Sequence, residues 1–197
     1  MERDEVKELH FITSIANLNS ILSRGILSHD GASKVDHLSI ALEGVQDRRR
    51  GKRVPNGGRL HSYANLYFHA RNAMMFYLTR NNYDDLVVVR VSEAVLDLPD
   101  TVLTDGNAAV TGTRFYPSPD GLADLNAKLI FAKSWTDENS WPDQEKKRVR
   151  MAEVLVPTLV PSTYIKGCYV DTPAKRVYCQ KLDDLPAVTV RGEIYFR

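Results

Sequence analysis

The amino-acid sequence predicts an α+β domain with a largely antiparallel or mixed sheet. Apolar strands and helical segments are interspersed along the chain without the regular alternation that marks a βαβ fold. A hydrophobic content of 43% over 197 residues is enough for one full core. Because the sequence contains no internal repeat and no low-complexity linker, residues 1–197 are interpreted as a single domain.

The first predicted elements are a strand and a capped helix. Leu9–Thr13 is a short apolar run, and the hydroxyl of Thr13 or Ser14 can accept a hydrogen bond from a free N–H of the next turn. Apolar residues then recur at helical spacing as far as Leu22. Gly25 stands where a left-handed helix C-cap is expected, so the helix should end there.

The remaining elements follow from apolar runs and their flanking residues. Residues 28–62 contain many glycines and should be mostly irregular, with one short helix or turn over 39–46. Strands are expected at Leu66–His69, Leu86–Val91, Val102–Thr104, Thr163–Val170, Arg176–Gln180 and Val188–Phe196. Helical segments are expected after the capping residue Asn72, over 122–131, and from Pro142 onward, with Arg150 carried outward.

One predicted strand, Arg150–Pro157, carries a carboxylate in its middle. Side chains alternate across a strand, so Ala152, Val154 and Val156 share one face and Glu153 and Leu155 share the other. An ionised carboxylate within an apolar strand is costly unless it is paired, hydrated or set in a cleft. Glu153 therefore either faces water at the edge of a sheet or points into an active-site cleft.

Two basic clusters stand out against a formal net charge of only +1. The first contains Arg48, Arg49, Arg50, Lys52, Arg53 and Arg59, and the second contains Lys146, Lys147, Arg148 and Arg150. Such clusters are either solvated surface or a binding site for a polyanion or pyrophosphate. Nearby aromatic residues, Tyr63, Phe115 and Tyr116, are candidates for stacking on nucleobases.

Several classes of protein are not indicated by the sequence. No apolar run approaches the roughly 18 residues that a membrane span needs. The charged beginning, Met1–Glu5, is not followed by the apolar stretch of a signal peptide. Cys168 and Cys179 have neither a CxxC spacing nor a neighbouring His pair, so no metal site and no disulfide framework is predicted. We expect a cytoplasmic protein without a metal.

An ordered set of motifs resembles the DarT toxins of the DarTG toxin–antitoxin systems. The segments that carry the resemblance are Phe11–Leu22, Val45–Arg49, Val54–Pro55, Leu60–Tyr63, Leu66–Met74 and Ala152–Val156. The resemblance covers residues from about 9 to 170, and the motifs stand in the family's order. It implies an ADP-ribosyltransferase-like core: a split, mixed β-sheet with flanking helices and NAD in the cleft between its halves.

The resemblance also implies roles for individual residues. Glu153 matches the catalytic glutamate, and Arg49 matches an arginine that contacts NAD and takes part in catalysis. The positions that match NAD-binding residues are Phe11, Ile12, Thr13, Ser20, Leu27, Arg49, Tyr67 and Met74. Arg71 is available to phosphate or base, and the basic clusters add the DNA-binding candidates Arg48, Arg50, Arg53, Lys147 and Arg150. Many relatives carry His where Phe11 stands; here His10 is one place earlier, so we expect Phe11 to occupy the position through its main chain.

The implied activity is transfer of ADP-ribose from NAD to a base of single-stranded DNA with release of nicotinamide. Thymine is the favoured base and guanine the alternative, and a DarG-like macrodomain antitoxin is the implied partner. Glu153 is the better proton acceptor, whereas Arg49 has an anchoring and polarising role because a guanidinium stays protonated and is a poor general base. Two other functions remain open: a transferase of the same fold that modifies RNA or protein, and a nucleic-acid-binding module without catalysis.

Overall fold

The computed structural model describes residues 1–136 and 143–197, and these form ten strands in two sheets. The strands are β1 (Leu9–Ser14), β2 (Ile26–Leu27), β3 (Tyr63–Tyr67), β4 (Leu86–Val91), β5 (Val102–Thr104), β6 (Phe115–Pro117), β7 (Glu153–Pro157), β8 (Leu159–Val160), β9 (Ile165–Val170) and β10 (Val188–Val190). The larger sheet has the order β10-β9-β4-β1-β3-β7-β5-β6, and β2 pairs with β8 in the smaller one.

The larger sheet is split in the middle. β1 pairs along its length with β4, from Leu9↔Val91 to Ser14↔Leu86, but within the described residues it meets β3 only at His10↔Tyr67. β3 in turn pairs along its length with β7. The two halves are therefore β10-β9-β4-β1 and β3-β7-β5-β6. Because β9 and β10 run parallel while the other neighbours run antiparallel, the sheet is mixed, and the predicted fold class is confirmed.

Short helices flank the sheet, and side-chain caps begin several of them. The α-helices are α1 (Leu18–Arg24), α2 (His29–Ala32), α3 (Glu43–Arg50), α4 (Ala73–Arg80), α5 (Ala127–Ile130), α6 (Gln144–Val149) and α7 (Pro173–Cys179). The Asn72 side chain accepts hydrogen bonds from the N–H groups of Met74 and Met75, as predicted for the start of α4. Ser14 caps the single 3₁₀ turn Ile15–Asn17 that leads into α1.

The predicted alternation along β7 is confirmed by the two cores that it joins. Ala152, Val154 and Val156 pack into the main hydrophobic core, whereas Leu155 packs on the opposite face with Tyr63 and Ala108. β4 is likewise buried on both faces, as its run of apolar residues predicts. Since β7 is covered on both sides, the polar Glu153 cannot face water and must find its partners inside the protein.

Two predictions for the C-terminal region are wrong. Residues 176–180, predicted as a strand, belong to helix α7, because Thr172 caps the backbone N–H of Lys175 and Pro173 occupies the first turn. Of the strand predicted for Val188–Phe196, only Val188–Val190 forms a strand, β10, which pairs with β9. The chain then turns through the 3₁₀ helix Gly192–Ile194. In both places a local capping or turn signal outweighs β propensity.

The basic region also differs from the prediction. Residues 28–62 are less irregular than expected, because α3 extends over Glu43–Arg50 and so places the first arginines on a helix. Arg150, which was expected to point outward, has only 1% of its surface exposed. α6 begins at Gln144 with Asp143 as its N-cap, and the predicted helix start at Pro142 lies outside the described residues. Across residues 1–136 and 143–197, the structure contains no helix that could cross a membrane.

Gly25 provides a direct test of how the end of α1 is built. Its φ of 84° lies in the left-handed region, and a Cβ there would meet the carbonyl oxygen of Val160 in β8. We expect Gly25→Ala to lower the free energy of unfolding by about 2–4 kcal/mol. The measurement is the urea-unfolding midpoint of the purified protein.

The matched control for this prediction is Gly44→Ala in α3. A Cβ at Gly44 meets nothing within 4 Å, and Ala is a better helix former than Gly. This variant should be neutral or more stable, by up to about 1 kcal/mol. Equal effects of the two substitutions would show that the left-handed end of α1 contributes nothing to stability.

Candidate active site

A cavity of about 870 Å³ lies over the split in the sheet. Its lining includes Phe11–Thr13 of β1 from one half, and Tyr63, Asn65 and Tyr67 of β3 from the other. Residues of α1, α3, α4 and α6, together with the segment 33–42, complete the walls. This volume is in the range of about 300–1,000 Å³ that small-molecule and cofactor sites occupy.

The structure brings together every residue that the sequence suggested for NAD binding. The cavity is lined by Phe11, Ile12, Thr13, Ser20, Leu27, Arg49, Tyr67 and Met74. Of the DNA-binding candidates, Arg48 and Lys147 line the same cavity, whereas Arg50, Arg53, Arg71 and Arg150 do not. The predicted NAD residues therefore form one pocket, and the predicted DNA residues divide between its wall and other surfaces.

Glu153 and Arg49 form a buried ion pair. Arg49 Nη1 donates to both carboxylate oxygens of Glu153, at 3.1 Å to Oε1 and 3.0 Å to Oε2. The carboxylate is fully buried, and Arg49 has 6% of its surface exposed. Arg49 lines the cavity while Glu153 does not, so the guanidinium lies between the carboxylate and the cavity. Arg49 and Glu153, which were predicted to share a site, thus lie together, and Arg49 forms the cavity wall in front of Glu153.

Three backbone and side-chain groups hold the Glu153 carboxylate and its strand in place. The N–H of Ala108 donates to Oε1 at 3.0 Å, which leaves Oε2 with Arg49 as its partner among the described residues. The Thr104 hydroxyl accepts from the N–H of Glu153 at 2.9 Å and donates to the Gly106 carbonyl at 2.7 Å. The sequence indicated Thr104 as the end of a strand, but no local pattern connected it with Glu153.

Tyr67 places a phenol beside this ion pair. It pairs with Glu153 in the β3–β7 register, and its hydroxyl contacts the Met74 sulfur at 3.4 Å. Burial, and then the negative charge of Glu153, raise the pKa of the Tyr67 phenol. Tyr67 therefore remains protonated at neutral pH and can act as a hydrogen-bond donor in the cavity.

Arg150 is buried beneath Arg71, so it is not exposed for direct contact with DNA. Its guanidinium donates to the Arg71 carbonyl oxygen and lies 5.5 Å from the centre of the Trp135 ring. Burial, and then the positive charge of Arg71, lower the pKa of Arg150 to about 10, so the group is still charged at neutral pH. Arg71 itself lies over the Phe196 ring at 3.7 Å. Arg71 is the partly exposed member of this pair.

His69 is held neutral next to these two arginines. Burial, and then the charge of Arg150, lower the pKa of His69 to about 4. Its Nδ1 can therefore accept the hydrogen bond that the Arg71 N–H donates at 3.1 Å. This bond fixes the turn between β3 and α4, which carries Arg71.

The other basic and aromatic candidates are on the surface or within the core. Arg50 is 72% exposed in its side chain and pairs with Asp47 at 3.1 Å, and Arg53 donates to the Gly57 carbonyl. Tyr63 lines the cavity, but it is largely buried, and its hydroxyl accepts from the Gly58 N–H at 3.2 Å. Phe115 and Tyr116 are partly buried against the cores.

His10 is part of a polar cluster on the half of the sheet that contains β1, β4 and β9. Glu8 accepts hydrogen bonds from His10 at 3.2 Å, Arg90 at 2.9 Å and Tyr169 at 2.6 Å. His10 does not line the cavity and Phe11 does, in agreement with the expected register. Glu8 was not singled out from the sequence, since two of its three donors, Arg90 and Tyr169, come from strands that are distant in sequence.

The side chains of the described residues give no indication of a metal centre. Among residues 1–136 and 143–197, no group of three or more His, Cys, Asp or Glu side chains is arranged to hold a metal ion. Cys168 and Cys179 are buried free thiols.

The split sheet, the buried arginine–glutamate pair and the cavity beside it agree with the ADP-ribosyltransferase-like fold that the sequence resemblance implies. Comparisons with known proteins give the particular family. The family description "ssDNA thymidine ADP-ribosyltransferase, DarT" matches residues 10–196. The chain belongs to the DarT family.

Relatives and solved structures agree with this assignment. A DNA ADP-ribosyl transferase–DNA ADP-ribosyl glycohydrolase fusion protein of Thermosipho africanus is 36% identical over 172 residues, which cover 83% of this chain and 42% of the fusion protein. The structure of Thermus sp. 2.9 DarT in complex with ADP-ribosylated ssDNA is similar with a TM-score of 0.84 and 27% identity, over 98% of this chain and 97% of that one. The same DarT in complex with NAD⁺ is similar with a TM-score of 0.78 and 25% identity, over 98% of both chains. The chain thus spans less than half of the fusion protein that it matches.

The Glu8 cluster makes stability depend on pH. Burial alone would raise the pKa of Glu8, but the hydrogen bonds from His10, Arg90 and Tyr169 outweigh it and lower the pKa from 4.5 to about 2. The stabilisation is therefore full above about pH 4.5 and is lost as the pH falls toward 2. We expect Glu8→Gln to reduce the free energy of unfolding by roughly 2 kcal/mol at pH 7 and by progressively less between pH 4.5 and 2.

Urea unfolding at a series of pH values checks this prediction. Glu43→Gln, which changes an exposed carboxylate of α3, is the matched control and should leave the pH profile of the wild type unchanged. If Glu8→Gln kept the acid sensitivity of the wild type, Glu8 would not be the group responsible.

Proposed function

We propose that this chain transfers ADP-ribose from NAD to a thymine base of single-stranded DNA, releases nicotinamide, and acts as a toxin. The observation that carries the proposal is the buried Arg49–Glu153 pair at the wall of the cavity over the split sheet. The match of the family description to residues 10–196 supports treating residues 1–197 as one ADP-ribosyltransferase domain.

NAD binding in the cavity follows from the chemistry of its lining. The strand segment Phe11–Thr13 comes from β1, Ser20 from α1 and Leu27 from β2, and they offer backbone groups, hydroxyls and apolar contact to the nicotinamide end. In the described residues Arg49 uses Nη1 for Glu153, which leaves the rest of its planar guanidinium for a phosphate or ribose oxygen. Tyr67 and Met74 provide a phenol donor and apolar surface opposite.

The reaction breaks the bond between the anomeric carbon and nicotinamide and forms a bond from that carbon to a base nitrogen. As in glycoside hydrolysis, positive charge grows on the sugar in the transition state, and the Glu153 carboxylate stabilises it. Nicotinamide leaves with the bonding electron pair, and the base nitrogen loses its proton to Glu153 once the Arg49 side chain has turned away from the carboxylate that it covers. Arg49 pairs with the carboxylate in a buried site and does not act as a base, because a guanidinium has no acceptor atom.

Single-stranded DNA is the favoured acceptor because a reacting base must be unstacked. Arg48 and Lys147 lie on the cavity wall and are exposed, so they can contact phosphates next to the reacting nucleotide. Arg71, held by Arg150 and His69, is the third cation available to phosphate or base. Arg50 and Arg53 belong to the same basic region and add non-specific attraction. The thymine specificity rests on the family description.

We further propose a DarG-like antitoxin as a partner and the cytoplasm as the site of action. The support is a relative that joins a DNA ADP-ribosyl transferase to a DNA ADP-ribosyl glycohydrolase, an activity that would reverse the modification. A toxin that modifies DNA acts in the compartment that contains the DNA.

Substitution of the buried carboxylate tests the proposed chemistry. We expect Glu153→Gln to reduce labelling of a thymine-containing single-stranded oligonucleotide by at least about 100-fold, because the neutral amide can neither stabilise the sugar cation nor accept the proton. NAD binding should survive, since Glu153 does not line the cavity. Mass spectrometry of the oligonucleotide gives the adduct, and calorimetry gives NAD binding.

Two controls make this experiment decisive. Glu43→Gln makes the same chemical change at the exposed start of α3 and should keep wild-type activity. Oligonucleotides in which adenine, cytosine or guanine replaces thymine should remain unmodified. Labelling of protein or RNA but of no DNA oligonucleotide would overturn the proposed substrate, and oligonucleotide binding without nicotinamide release would overturn the proposed reaction.

The cations on the cavity wall are expected to act through the DNA backbone. Lys147→Ala and Arg48→Ala should each weaken oligonucleotide binding at low salt, lower the slope of log K against log salt by about 0.7, and leave NAD binding within about twofold. Lys181→Ala, an exposed lysine that does not line the cavity, is the control and should change neither quantity. Fluorescence anisotropy over a salt series measures the slope. Equal slopes for Lys147→Ala and Lys181→Ala would remove Lys147 from the DNA site.

A further inference from the structure

The side-chain amide of Asn17 joins the end of β1 to the segment 33–42. Its Nδ2 donates to Thr13 Oγ1 at 3.0 Å and to the Leu38 carbonyl at 2.9 Å. Its Oδ1 accepts from the Leu38 N–H at 2.8 Å. Asn17, Thr13 and Leu38 all line the cavity, so this small network is part of the wall and not of the distant core.

The backbone of Leu38 determines which way the Asn17 amide is oriented. A backbone N–H can only donate and a backbone carbonyl can only accept, so Oδ1 must face the first and Nδ2 the second. The second proton of Nδ2 then points to Thr13 Oγ1, which must accept it. The Thr13 hydroxyl proton is thereby left free, and within the described residues it makes no other recorded hydrogen bond.

The segment 33–42 depends on this network for its position. It contains neither helix nor strand after residue 32, and most of its residues are exposed. Leu38, with 55% of its surface exposed, has no core to pack into; Ile40, two residues later, is the buried anchor. The two-way hydrogen bond between Asn17 and the Leu38 backbone therefore holds the part of the segment that burial does not hold. This part, from His37 to Leu42, forms one wall of the cavity.

We infer that Asn17 is a positioning residue for the dinucleotide site. It makes the Thr13 hydroxyl a hydrogen-bond donor toward the cavity, and it holds the wall at Leu38 in place. The donor matches an acceptor oxygen on the ligand, for which the carboxamide oxygen of a nicotinamide dinucleotide has the required chemistry. This inference rests on the proposed NAD-dependent function.

Asn17→Asp tests the inference with almost no change in shape. Aspartate keeps one acceptor for the Leu38 N–H, but its second oxygen faces the Leu38 carbonyl and takes the hydroxyl proton of Thr13. We expect the KM for NAD to rise at least tenfold while kcat at saturating NAD stays within about threefold. Asn126→Asp is the matched control, because its side-chain oxygen caps the Leu129 N–H and aspartate does the same, so both parameters should match the wild type.

Two further variants test whether the Thr13 hydroxyl acts as a hydrogen-bond donor, independently of any effect on folding. Thr13→Val removes the hydroxyl and should raise the KM for NAD as Asn17→Asp does, whereas Thr13→Ser should keep the wild-type value. The double variant Asn17→Asp/Thr13→Val should be no worse than the poorer single variant, because both remove the same donor. Fully additive effects would overturn the inference.

A dinucleotide that lacks the carboxamide, pyridine adenine dinucleotide, completes the test. Wild-type protein should bind it at least tenfold more weakly than NAD, and Asn17→Asp should bind the two with equal affinity. An Asn17→Asp protein that still prefers NAD tenfold would overturn the inference, even if its stability were reduced. Thermal unfolding of each variant identifies any that do not fold, and Thr13→Val then supplies the same comparison.

Failure of the inference and failure of the proposed function give different results. A wild-type protein that never modifies DNA or releases nicotinamide contradicts the proposed function. A wild-type protein that is active, with an Asn17→Asp variant of unchanged KM for NAD, contradicts only the role of Asn17.

Discussion

The buried ion pair between Arg49 and Glu153 is the interaction on which the site depends. The two residues are 104 positions apart in sequence, and each is taken out of water. A buried charge that loses its partner costs about 3–5 kcal/mol, so the protein must bring both elements to the same place. α3 supplies the arginine and β7 the glutamate; the Ala108 N–H donates to the carboxylate, and the Thr104 hydroxyl accepts from the Glu153 backbone N–H. The proposed chemistry depends on this placement, in which the guanidinium lies between the carboxylate and the cavity.

The split in the sheet creates the cavity that lies beside the ion pair. If β1 paired with β3 along its whole length, their side chains would fill the space between the two halves. Instead the strands meet at His10 and Tyr67, and a cavity lined from both sides opens beside that point. The polar cluster around Glu8 joins β1 to β4 and β9, so the half that offers Phe11–Thr13 is held as one unit. A rigid wall on each side allows a flexible dinucleotide to be held in one conformation.

Agreement between sequence and structure is best where the signal is local. The caps at Ser14 and Asn72, the left-handed Gly25 and the doubly buried β4 were all predicted from a few neighbouring residues. One error occurs where long-range packing decides, and another where a local helix cap outweighs β propensity. Arg150 follows a helix rich in lysine and arginine, and nothing in that pattern indicates that its guanidinium lies under the Arg71 carbonyl. Residues 176–180 have strand-like composition, yet the Thr172 cap and Pro173 begin a helix there.

The sequence by itself determined the class of fold, the position of the carboxylate on an apolar strand, and the ordered motifs that resemble the DarT family. These depend on periodicity, capping and residue identity, which neighbouring residues carry. Only the tertiary structure decided that Arg49 covers Glu153, that Glu8 accepts hydrogen bonds from Arg90 and Tyr169, and that the Leu38 backbone orients the Asn17 amide. Each of these is a hydrogen bond whose geometry depends on where a second segment of chain packs, and no local pattern encodes that position.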